Sequence, residues 1–256
     1  MNTKIKNHLF ITGAGEGIGL ELLKYALINN KNLIITCHYF IKTLEFEQIC
    51  KSYSSRINLI KADFSKKNSI NKFLIKLKKY KITHIANIAG IHDFSKNKKD
   101  RLDNVHKTFT VNSIVPSMII ETVFPYMQNI KYGNIVNISS IGVKYGSNID
   151  SIFYGSSKAA LEAITTSFSR VGASSNILVN TIRPGITKTD FYTKINKNLN
   201  ERIKLIPIKR AAKPLEIAKF IYLILFENTF MTGQTLSIAG GEWKKIYQKS
   251  MIMFQS

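Results

Sequence analysis

The sequence contains little cysteine and proline, and it has no long apolar run. Two of its 256 residues are Cys and five are Pro, which excludes disulfide scaffolds and Pro-rich low-complexity chains. Cys37 and Cys50 form no CxxC pair, so we expect a reduced, cytoplasmic setting. The longest apolar run, 220–226, is far below the ~18 residues of a membrane-spanning helix, so no membrane association is predicted.

Acidic residues and arginine are also scarce. Sixteen Asp and Glu stand against 37 Lys and Arg, which gives a formal net charge of +21, and only 6 of the basic residues are Arg. Nucleic-acid recognition favours the planar guanidinium of Arg over the ammonium of Lys. We therefore attribute the charge to a general Lys excess and expect no specific nucleic-acid partner. The histidines show no HxH or HxxxH spacing, and no metal site is predicted.

Short apolar runs alternate with longer amphipathic stretches along the chain. Most runs are continuous in Ile, Leu and Val, which is typical of parallel strands covered on both faces. The predicted strands are 8–12, 33–37, 57–61, 82–88, 134–138 and 177–182, and the predicted helices are 18–29, 43–53, 67–79, 101–127, 153–171 and 214–227. This alternation predicts a Rossmann-type doubly wound parallel sheet with helices on both faces. No linker or repeat divides the chain, so residues 1–256 are predicted to form a single α/β domain.

A glycine-rich turn follows the first predicted strand and opens the first predicted helix. It reads Thr12-Gly13-Ala14-Gly15-Glu16-Gly17-Ile18-Gly19. The spaced glycines 13, 17 and 19 are expected by chance only about 0.04 times in a chain of this composition. Glycines permit a tight turn and close backbone approach, and the N–H groups of a helix N terminus bind an anion. The turn therefore predicts a binding site for a dinucleotide pyrophosphate.

A tyrosine and a lysine lie four residues apart in a predicted helix. Tyr154 and Lys158 therefore share one helix face, and a lysine beside a phenol favours the phenolate and lowers the phenol pKa. Tyr154 is thus a candidate general acid or base for a carbonyl or alcohol. The spacing alone is weak evidence, since about 1.3 such pairs are expected by chance. However, Tyr154 lies 14 residues after Ser140, which follows a predicted strand, and ligands bind at strand carboxyl ends in such sheets.

Together these motifs resemble the short-chain dehydrogenase/reductase family over residues 7–241. Besides the glycine turn and the Tyr–Lys pair, the matching residues are Asp63, Asn87, Ala89, Gly90, Asn112, Ser139, Ser140, Pro184, Gly185 and Thr189, with the segments 210–218 and 232–234. The chain departs from the family pattern where Ile88 replaces an Asn of the sheet motif and Ala239 replaces an Asp near the end. The serine-to-tyrosine interval is also one residue longer than the commonest one. This leaves both Ser139 and Ser140 open as the working hydroxyl, with Ser140 preferred.

The resemblance implies hydride transfer between a nicotinamide and a carbonyl or secondary alcohol. In the reducing direction, Ser140 would hydrogen-bond the substrate oxygen and Tyr154 would deliver the proton. Lys158 would bind the nicotinamide ribose and lower the pKa of Tyr154, and Asn112 would position a water that links Lys158 to solvent. A 3-oxoacyl-carrier-protein reductase and a sugar, polyol or nucleotide-sugar dehydrogenase remain open. A non-catalytic dinucleotide sensor is disfavoured because it needs no proton relay.

The same resemblance implies NADP(H) or NAD(H) as the cofactor. We expect the cofactor to contact Thr12, Gly13, Gly15, Glu16, Gly17, Ile18, Gly19, His38, Asp63, Phe64, Asn87, Ala89, Gly90, Tyr154, Lys158, Pro184, Gly185, Thr187 and Thr189. An acid at the end of the second strand would bind the ribose 2′-hydroxyl of NAD, but Cys37 and His38 stand there. His38, with Lys42, is the candidate to receive a 2′-phosphate, whereas Glu16 would repel that group. Taken together, these residues slightly favour NADP(H) over NAD(H).

The segment 187–213 has no clean period and is predicted to be a substrate lid. Basic residues are frequent in this part of the chain, namely Lys188, Lys194, Lys197, Arg202, Lys204, Lys209 and Arg210, against Asp190 and Glu201. A basic lid suits an anionic substrate, such as a carrier-bound acyl chain, a phosphate or a nucleotide-sugar. The general Lys excess is the competing explanation. The family resemblance also implies a homotetramer or a homodimer.

Overall fold

The structure is a computed structural model that describes residues 6–92, 100–147, 149–191 and 199–242. Within these residues, seven parallel strands form one sheet: β1 (His8–Thr12), β2 (Ile34–Tyr39), β3 (Ile57–Lys61), β4 (His84–Asn87), β5 (Gly133–Ile138), β6 (Ile177–Pro184) and β7 (Thr235–Ile238). Their order across the sheet is β3-β2-β1-β4-β5-β6-β7. All pairings between neighbours are parallel, as expected for strands that are joined by crossover helices.

Helices cover both faces of the sheet. In the described residues they are α1 (Gly17–Asn29), α2 (Leu44–Ser52), α3 (Lys67–Leu77), α4 (Arg101–Phe109), α5 (Val115–Ile130), α6 (Ile141–Tyr145), α7 (Ile152–Ala173), α8 (Leu199–Leu205) and α9 (Pro214–Phe226). One apolar layer includes Leu22 of α1 and Ile221 of α9, and the other includes Phe73 of α3 and Ile119 of α5. Burial of these layers provides the main stabilisation of the fold. None of the described helices has the length and apolar character that crossing a bilayer requires.

The prediction of a single Rossmann-type α/β domain is confirmed, and all six predicted strands are present. Strand β7 and helices α6 and α8 were not predicted. Strand β7 has four residues, mostly half-buried at the sheet edge, so its apolar pattern is weak. Helix α6 has only five residues. The predicted helix 101–127 is also divided, because a π-helical turn, Thr110–Ile114, separates α4 from α5.

The sheet opens into a crevice beside β1 and β4. These strands are neighbours, although β2 and β3 lie between them in sequence, so the connections leave them in opposite directions. At the carboxyl ends, Thr12 stands opposite Asn87. The hydroxyl of Thr12 accepts hydrogen bonds from the N–H groups of Ile88 at 2.8 Å and Ala89 at 3.0 Å. These bonds hold together the two strand ends that frame the crevice.

Candidate active site

A cleft of about 740 Å³ occupies this crevice. The predicted site residues on its wall are Gly13, Gly15, Glu16, Gly17, Ile18, His38, Asp63, Phe64, Ala89, Gly90, Ser139, Ser140, Tyr154, Lys158, Pro184, Gly185, Thr187 and Thr189. The fold therefore brings the glycine turn, the Tyr–Lys pair and the residues after β5 and β6 to one continuous space. This volume is of the size that small-molecule and cofactor sites have in proteins.

The glycine turn has the geometry of an anion cradle. Gly13 and Gly17 have φ of 70° and 56°, a backbone conformation that L side chains rarely adopt. Glu16 is the N-cap residue of α1, and its side chain makes no capping hydrogen bond, so N–H groups of the first turn remain for a ligand. A Cβ at Gly17 would lie 3.3 Å from Cγ2 of Thr189, which brings the segment after β6 next to the turn. These features fit the pyrophosphate of a dinucleotide.

Thr12, Gly19 and Asn87 do not reach the cleft wall. The hydroxyl of Thr12 is used to join β1 to the end of β4, and the Asn87 amide donates a 2.8 Å hydrogen bond to Oδ1 of Asn137. A Cβ at Gly19 would lie 2.1 Å from the carbonyl oxygen of Gly13. These residues hold the framework around the cleft, and their contact with the cofactor stays a prediction.

His38 supports the glycine turn from within the protein. Its Nδ1 accepts a hydrogen bond from the N–H of Gly13 at 3.3 Å, and its Nε2 donates to the carbonyl oxygen of Ala62 at 3.1 Å. The ring also stacks on Phe64, with centroids 3.8 Å apart. Burial lowers the pKa of His38 to about 4, so the ring is neutral at pH 7. The neutral ring offers no charged donor to a 2′-phosphate, and the contact of His38 with the cofactor stays a prediction.

The end of the cleft beyond the glycine turn carries several paired charges. Lys24 Nζ donates to Glu21 at 2.6 Å and to Glu45 at 2.8 Å, and both carboxylates line the cleft. Lys42 forms an ion pair with Glu47. The lysines nearest this end are thus already partnered, and the wall itself is acidic.

Asp63 lies on the same wall and keeps a fixed orientation. Its Oδ1 accepts hydrogen bonds from the N–H of Ser65 at 2.9 Å and from the hydroxyl of Ser65 at 2.7 Å. Burial opposes ionisation, but these bonds and the nearby Lys66 together hold the pKa of Asp63 below its ordinary value. The carboxylate is therefore a charged, oriented acceptor at pH 7.

Lys158 is buried on the cleft wall beside Tyr154. Its Nζ donates a 2.7 Å hydrogen bond to the carbonyl oxygen of Ile138, the last residue of β5. Burial lowers the pKa of Lys158 to about 8, so the ammonium form still predominates at pH 7. Nζ lies 5.9 Å from the centroid of the Tyr154 ring. A Cβ at Gly90 would lie 3.2 Å from Nζ, so glycine at that position leaves room for the ammonium group.

The two serines after β5 make different contacts. The hydroxyl of Ser139 donates to Oε1 of Glu162 at 2.5 Å. Ser140 is the N-cap residue of α6, and its Oγ accepts a 3.2 Å hydrogen bond from the N–H of Gly142. An oxygen that accepts an N–H keeps its own proton for donation. Ser140 can therefore donate to an oxygen in the cleft, whereas Ser139 already donates to Glu162.

Asn112 lies in the π-helical turn and is fully buried. Its Oδ1 accepts from the N–H of Ile91 at 2.8 Å, and its Nδ2 donates to the carbonyl oxygen of Ile91 at 2.8 Å and to Ser157 Oγ at 3.0 Å. The side chain thus ties the loop after β4 to α7, the helix that carries Lys158. These partners occupy the amide, so the water that the sequence analysis assigned to Asn112 stays a prediction.

Two rings that the sequence analysis did not select flank Tyr154. The imidazole of His92 stacks on the phenol ring with centroids 4.8 Å apart, and Phe191 approaches it at 6.1 Å. Both residues are distant from Tyr154 in sequence. The only sequence signal for either residue is its position, since His92 lies two residues after Gly90 and Phe191 lies two residues after Thr189.

The basic residues of the 187–213 segment are largely paired where the structure describes them. Lys204 lies 2.7 Å from Glu201 and Arg210 lies 2.7 Å from Glu216, whereas Lys188 lines the cleft. The predicted contributions of Lys194 and Lys197 lie outside the described residues. Among the described residues of this segment, fewer basic side chains are therefore available to the cleft than the number of basic residues in the sequence indicates.

Comparisons with known proteins agree with this geometry. The sequence profile of the family described as short chain dehydrogenase matches residues 7–200. The chain is 29% identical over 248 residues to 3-oxoacyl-[acyl-carrier-protein] reductase FabG of Chlamydia pneumoniae, with 93% of this chain and 98% of that protein covered. It is 35% identical over 159 residues to acetoacetyl-CoA reductase of Acinetobacter sp. (strain RA3849), with 61% and 64% covered.

A solved structure gives the same fold. The short-chain dehydrogenase/reductase of Serratia marcescens BCRC 10948 superposes with a TM-score of 0.80 at 23% identity, and the match covers 92% of this chain and 97% of that one. Since the family profile spans well over half of the sequence, this chain belongs to the short chain dehydrogenase family and is an NAD(P)-dependent oxidoreductase that acts on carbonyl or alcohol groups.

Proposed function

We propose that this chain reduces 3-oxoacyl thioesters to 3-hydroxyacyl thioesters with NADPH. The observation that carries the proposal is the match to a 3-oxoacyl-carrier-protein reductase over 93% of this chain and 98% of that protein. The similarity to an acetoacetyl-CoA reductase supports the same substrate class, since both names describe a ketone that is β to a thioester.

Ser140, Tyr154 and Lys158 are the catalytic residues of the proposal. When bound, the dinucleotide supplies the hydride that reduces the carbonyl carbon. The hydroxyl of Ser140 donates to the carbonyl oxygen and stabilises the negative charge that develops there. Tyr154 donates its phenolic proton to the same oxygen. The buried ammonium of Lys158 stabilises the phenolate that remains.

Asn112 acts through other groups. Its side chain holds Ile91 and Ser157 in place, and so it fixes the loop after β4 against α7. A water that links Lys158 to solvent completes the relay in this proposal, because Tyr154 must regain a proton after each turnover. Gly90, which lies close to both Asn112 Oδ1 and Lys158 Nζ, borders the path of that relay.

The residues that would hold the dinucleotide extend along the cleft from Asp63 to the segment after β6. The glycine turn and the uncapped N terminus of α1 would hold the pyrophosphate. Asp63 and Phe64 would contact the adenine, and Pro184, Gly185, Thr187 and Thr189 would contact the nicotinamide. NADP(H) is proposed over NAD(H) because no acid at the end of β2 awaits a ribose diol. Glu16 opposes this preference.

The substrate is proposed to be anionic and to enter under a lid formed by 187–213. Lys107 and Lys188 line the cleft, and both can meet a phosphate-bearing carrier arm. Thr187 forms a parallel bridge with Ala212, which closes the base of the lid, and Phe191 contacts Tyr154. This arrangement supports a segment that covers the reacting groups.

A homodimer or homotetramer is also proposed. Several apolar side chains are exposed on neighbouring elements, with Leu102 of α4 at 66% and Ile149 at 74% exposure. Ile152 and Phe153, at the start of α7, are also exposed. Burial of these exposed apolar side chains favours association with a second copy. Sedimentation or light scattering measures the number of subunits directly.

One set of assays tests the function. The protein is titrated with NADPH and NADH, and acetoacetyl-CoA, a 3-oxoacyl thioester on a carrier protein and a keto-sugar are each assayed by loss of nicotinamide absorbance. We expect turnover of both thioesters and preference for NADPH. Turnover of the keto-sugar alone would replace the proposal with a sugar or polyol dehydrogenase, and tight dinucleotide binding with no turnover of any substrate would favour a sensor.

A further inference from the structure

A single carboxylate joins three of the elements that surround the reacting groups. Glu162 lies on α7, one helical turn after Lys158. Its Oε1 accepts from Nε of Arg183 at 2.7 Å, and its Oε2 accepts from the NH2 group of Arg183 at 2.5 Å. Oε1 also accepts from the hydroxyl of Ser139 at 2.5 Å. Arg183 lies on β6, directly before Pro184, and Ser139 follows β5 directly before Ser140.

The pair lies behind the cleft. Neither Glu162 nor Arg183 is on the cleft wall, and their side chains are only 12% and 18% exposed. Replacement of such a buried pair by apolar residues is often neutral for stability, because both charges must lose water. The bidentate geometry does provide a fixed orientation. The main effect of this pair is therefore to fix the orientation of the groups that it contacts.

The orientation is passed to Ser140 through one residue. The N–H of Ser139 donates to the carbonyl oxygen of Ile182 at 2.8 Å, so the backbone of Ser139 is held by β6 while its side chain is held by Glu162. These two bonds constrain the peptide that joins Ser139 to Ser140. The same carboxylate belongs to α7. These contacts therefore also fix the position of Ser140 relative to the helix that carries Tyr154 and Lys158.

We infer that Glu162 and Arg183 are positioning residues for the reaction, which act on Ser140 through the Ser139 hydroxyl. The inference rests on the proposed role of Ser140. If the Ser140 hydroxyl is misplaced by about 1 Å, its hydrogen bond to the substrate oxygen is lost in the transition state, while the rest of the site remains. The effect should therefore appear in kcat and not in dinucleotide binding.

The test measures kcat, KM for acetoacetyl-CoA, the Kd of NADPH and the thermal midpoint for a set of variants. We expect Ser139→Ala and Glu162→Gln each to lower kcat about tenfold with the Kd of NADPH unchanged within twofold. The double variant should lose little more than either single one, because both changes break one chain of contacts. Ser139→Thr keeps a hydroxyl and should recover most of kcat. Ser167→Ala, on the exposed face of the same helix, is the control.

The outcomes separate this inference from the proposed function. If Ser140→Ala lowers kcat strongly while Ser139→Ala and Glu162→Gln leave it within twofold of the native value, the positioning role is refuted and the proposed function stands. If the losses for Ser139→Ala and Glu162→Gln multiply in the double variant, the two residues act independently and the inference also fails. If Ser140→Ala leaves kcat unchanged, both the role of Ser140 and the inference built on it fail. Ser139→Ala removes one buried oxygen, so the test stands even where Glu162→Gln does not fold.

Discussion

The imidazole of His92 stacks on the phenol ring of Tyr154, with centroids 4.8 Å apart and ring planes inclined by 27°. His92 Nε2 also lies 2.9 Å from the hydroxyl of Ser151, immediately before α7. The loop after β4 thus contacts the tyrosine through a ring and contacts the start of its helix through a hydrogen bond. Both contacts restrict the orientation of the phenol.

His92→Ala should lower kcat/KM for acetoacetyl-CoA three- to tenfold, because a ring pair of this kind contributes about 0.5–1.5 kcal/mol. His92→Phe keeps an aromatic ring and should retain most of the activity. Steady-state kinetics with saturating NADPH provide the measurement. Equal losses in the Ala and Phe variants would show that the ring stack has no part in orienting Tyr154 and that the Ser151 contact matters instead.

Tyr154→Phe should reduce kcat about 1000-fold, because proton transfer by a positioned side chain contributes about 10²–10⁴ in rate. The ring and its contacts with His92 and Phe191 remain, so the Kd of NADPH should change less than twofold. Stopped-flow turnover and fluorescence titration of NADPH measure the two quantities separately. Substantial residual turnover would remove Tyr154 from the role of proton donor.

Lys158→Met should inactivate the enzyme yet stabilise the dinucleotide-free protein at pH 7. Burial lowers the pKa of Lys158 from 10.5 to about 8, so the folded state carries a buried charge at pH 7 that the variant lacks. We expect the variant to be more stable by about 1–3 kcal/mol, after allowance for the lost hydrogen bond to Ile138. Urea unfolding at pH 7 compares the two proteins.

The stability difference should depend on pH in a defined direction. Between about pH 8 and pH 10.5, Lys158 is deprotonated in the folded state and protonated in the unfolded state. The unfolded state of the native protein therefore binds more protons, and its stability rises with pH relative to the variant. The advantage of Lys158→Met should thus shrink across this window. An advantage that stays constant from pH 7 to pH 10 would contradict the pKa shift of Lys158.

Glu16→Gln should tighten the binding of NADPH more than that of NADH. Glu16 lies on the cleft wall at the N terminus of α1, where its charge repels an additional phosphate. We expect the Kd of NADPH to fall about fivefold at low ionic strength, and the gain should diminish with added salt. Glu121→Gln, an exposed change on α5, is the control for net charge. Equal gains for both dinucleotides would place the 2′-phosphate away from Glu16.

Local sequence patterns were sufficient to predict the glycine turn and all the described strands except β7. The apolar run His8–Thr12 is a strand at the predicted bounds, because a continuous Ile, Leu and Phe run suits a strand buried on both faces. Gly13 and Gly17 have positive φ. Glycine adopts this conformation more readily than other residue types, so its positions in the sequence indicate the turn directly. The half-buried edge strand β7 lacked such a signal.

Contacts between distant residues were beyond the reach of the sequence. His38 lies near the end of β2, where a 2′-phosphate ligand was expected, yet its ring is held by Gly13 and Ala62. The choice between Ser139 and Ser140 also depended on a distant residue, since Glu162 takes the hydroxyl of Ser139. Neither partner can be read from neighbouring positions.

The amino-acid order alone determined the alternating α/β architecture, the glycine turn and the shared helix face of Tyr154 and Lys158, because these depend on periodicity and on the backbone freedom of single residues. Tertiary structure decided which polar groups point into the cleft and which are used to hold it together. The physical reason is that the residue type that carries a hydroxyl, an imidazole or a carboxylate is the same in either role. Its role depends on which donors and acceptors the folded chain brings within hydrogen-bond distance.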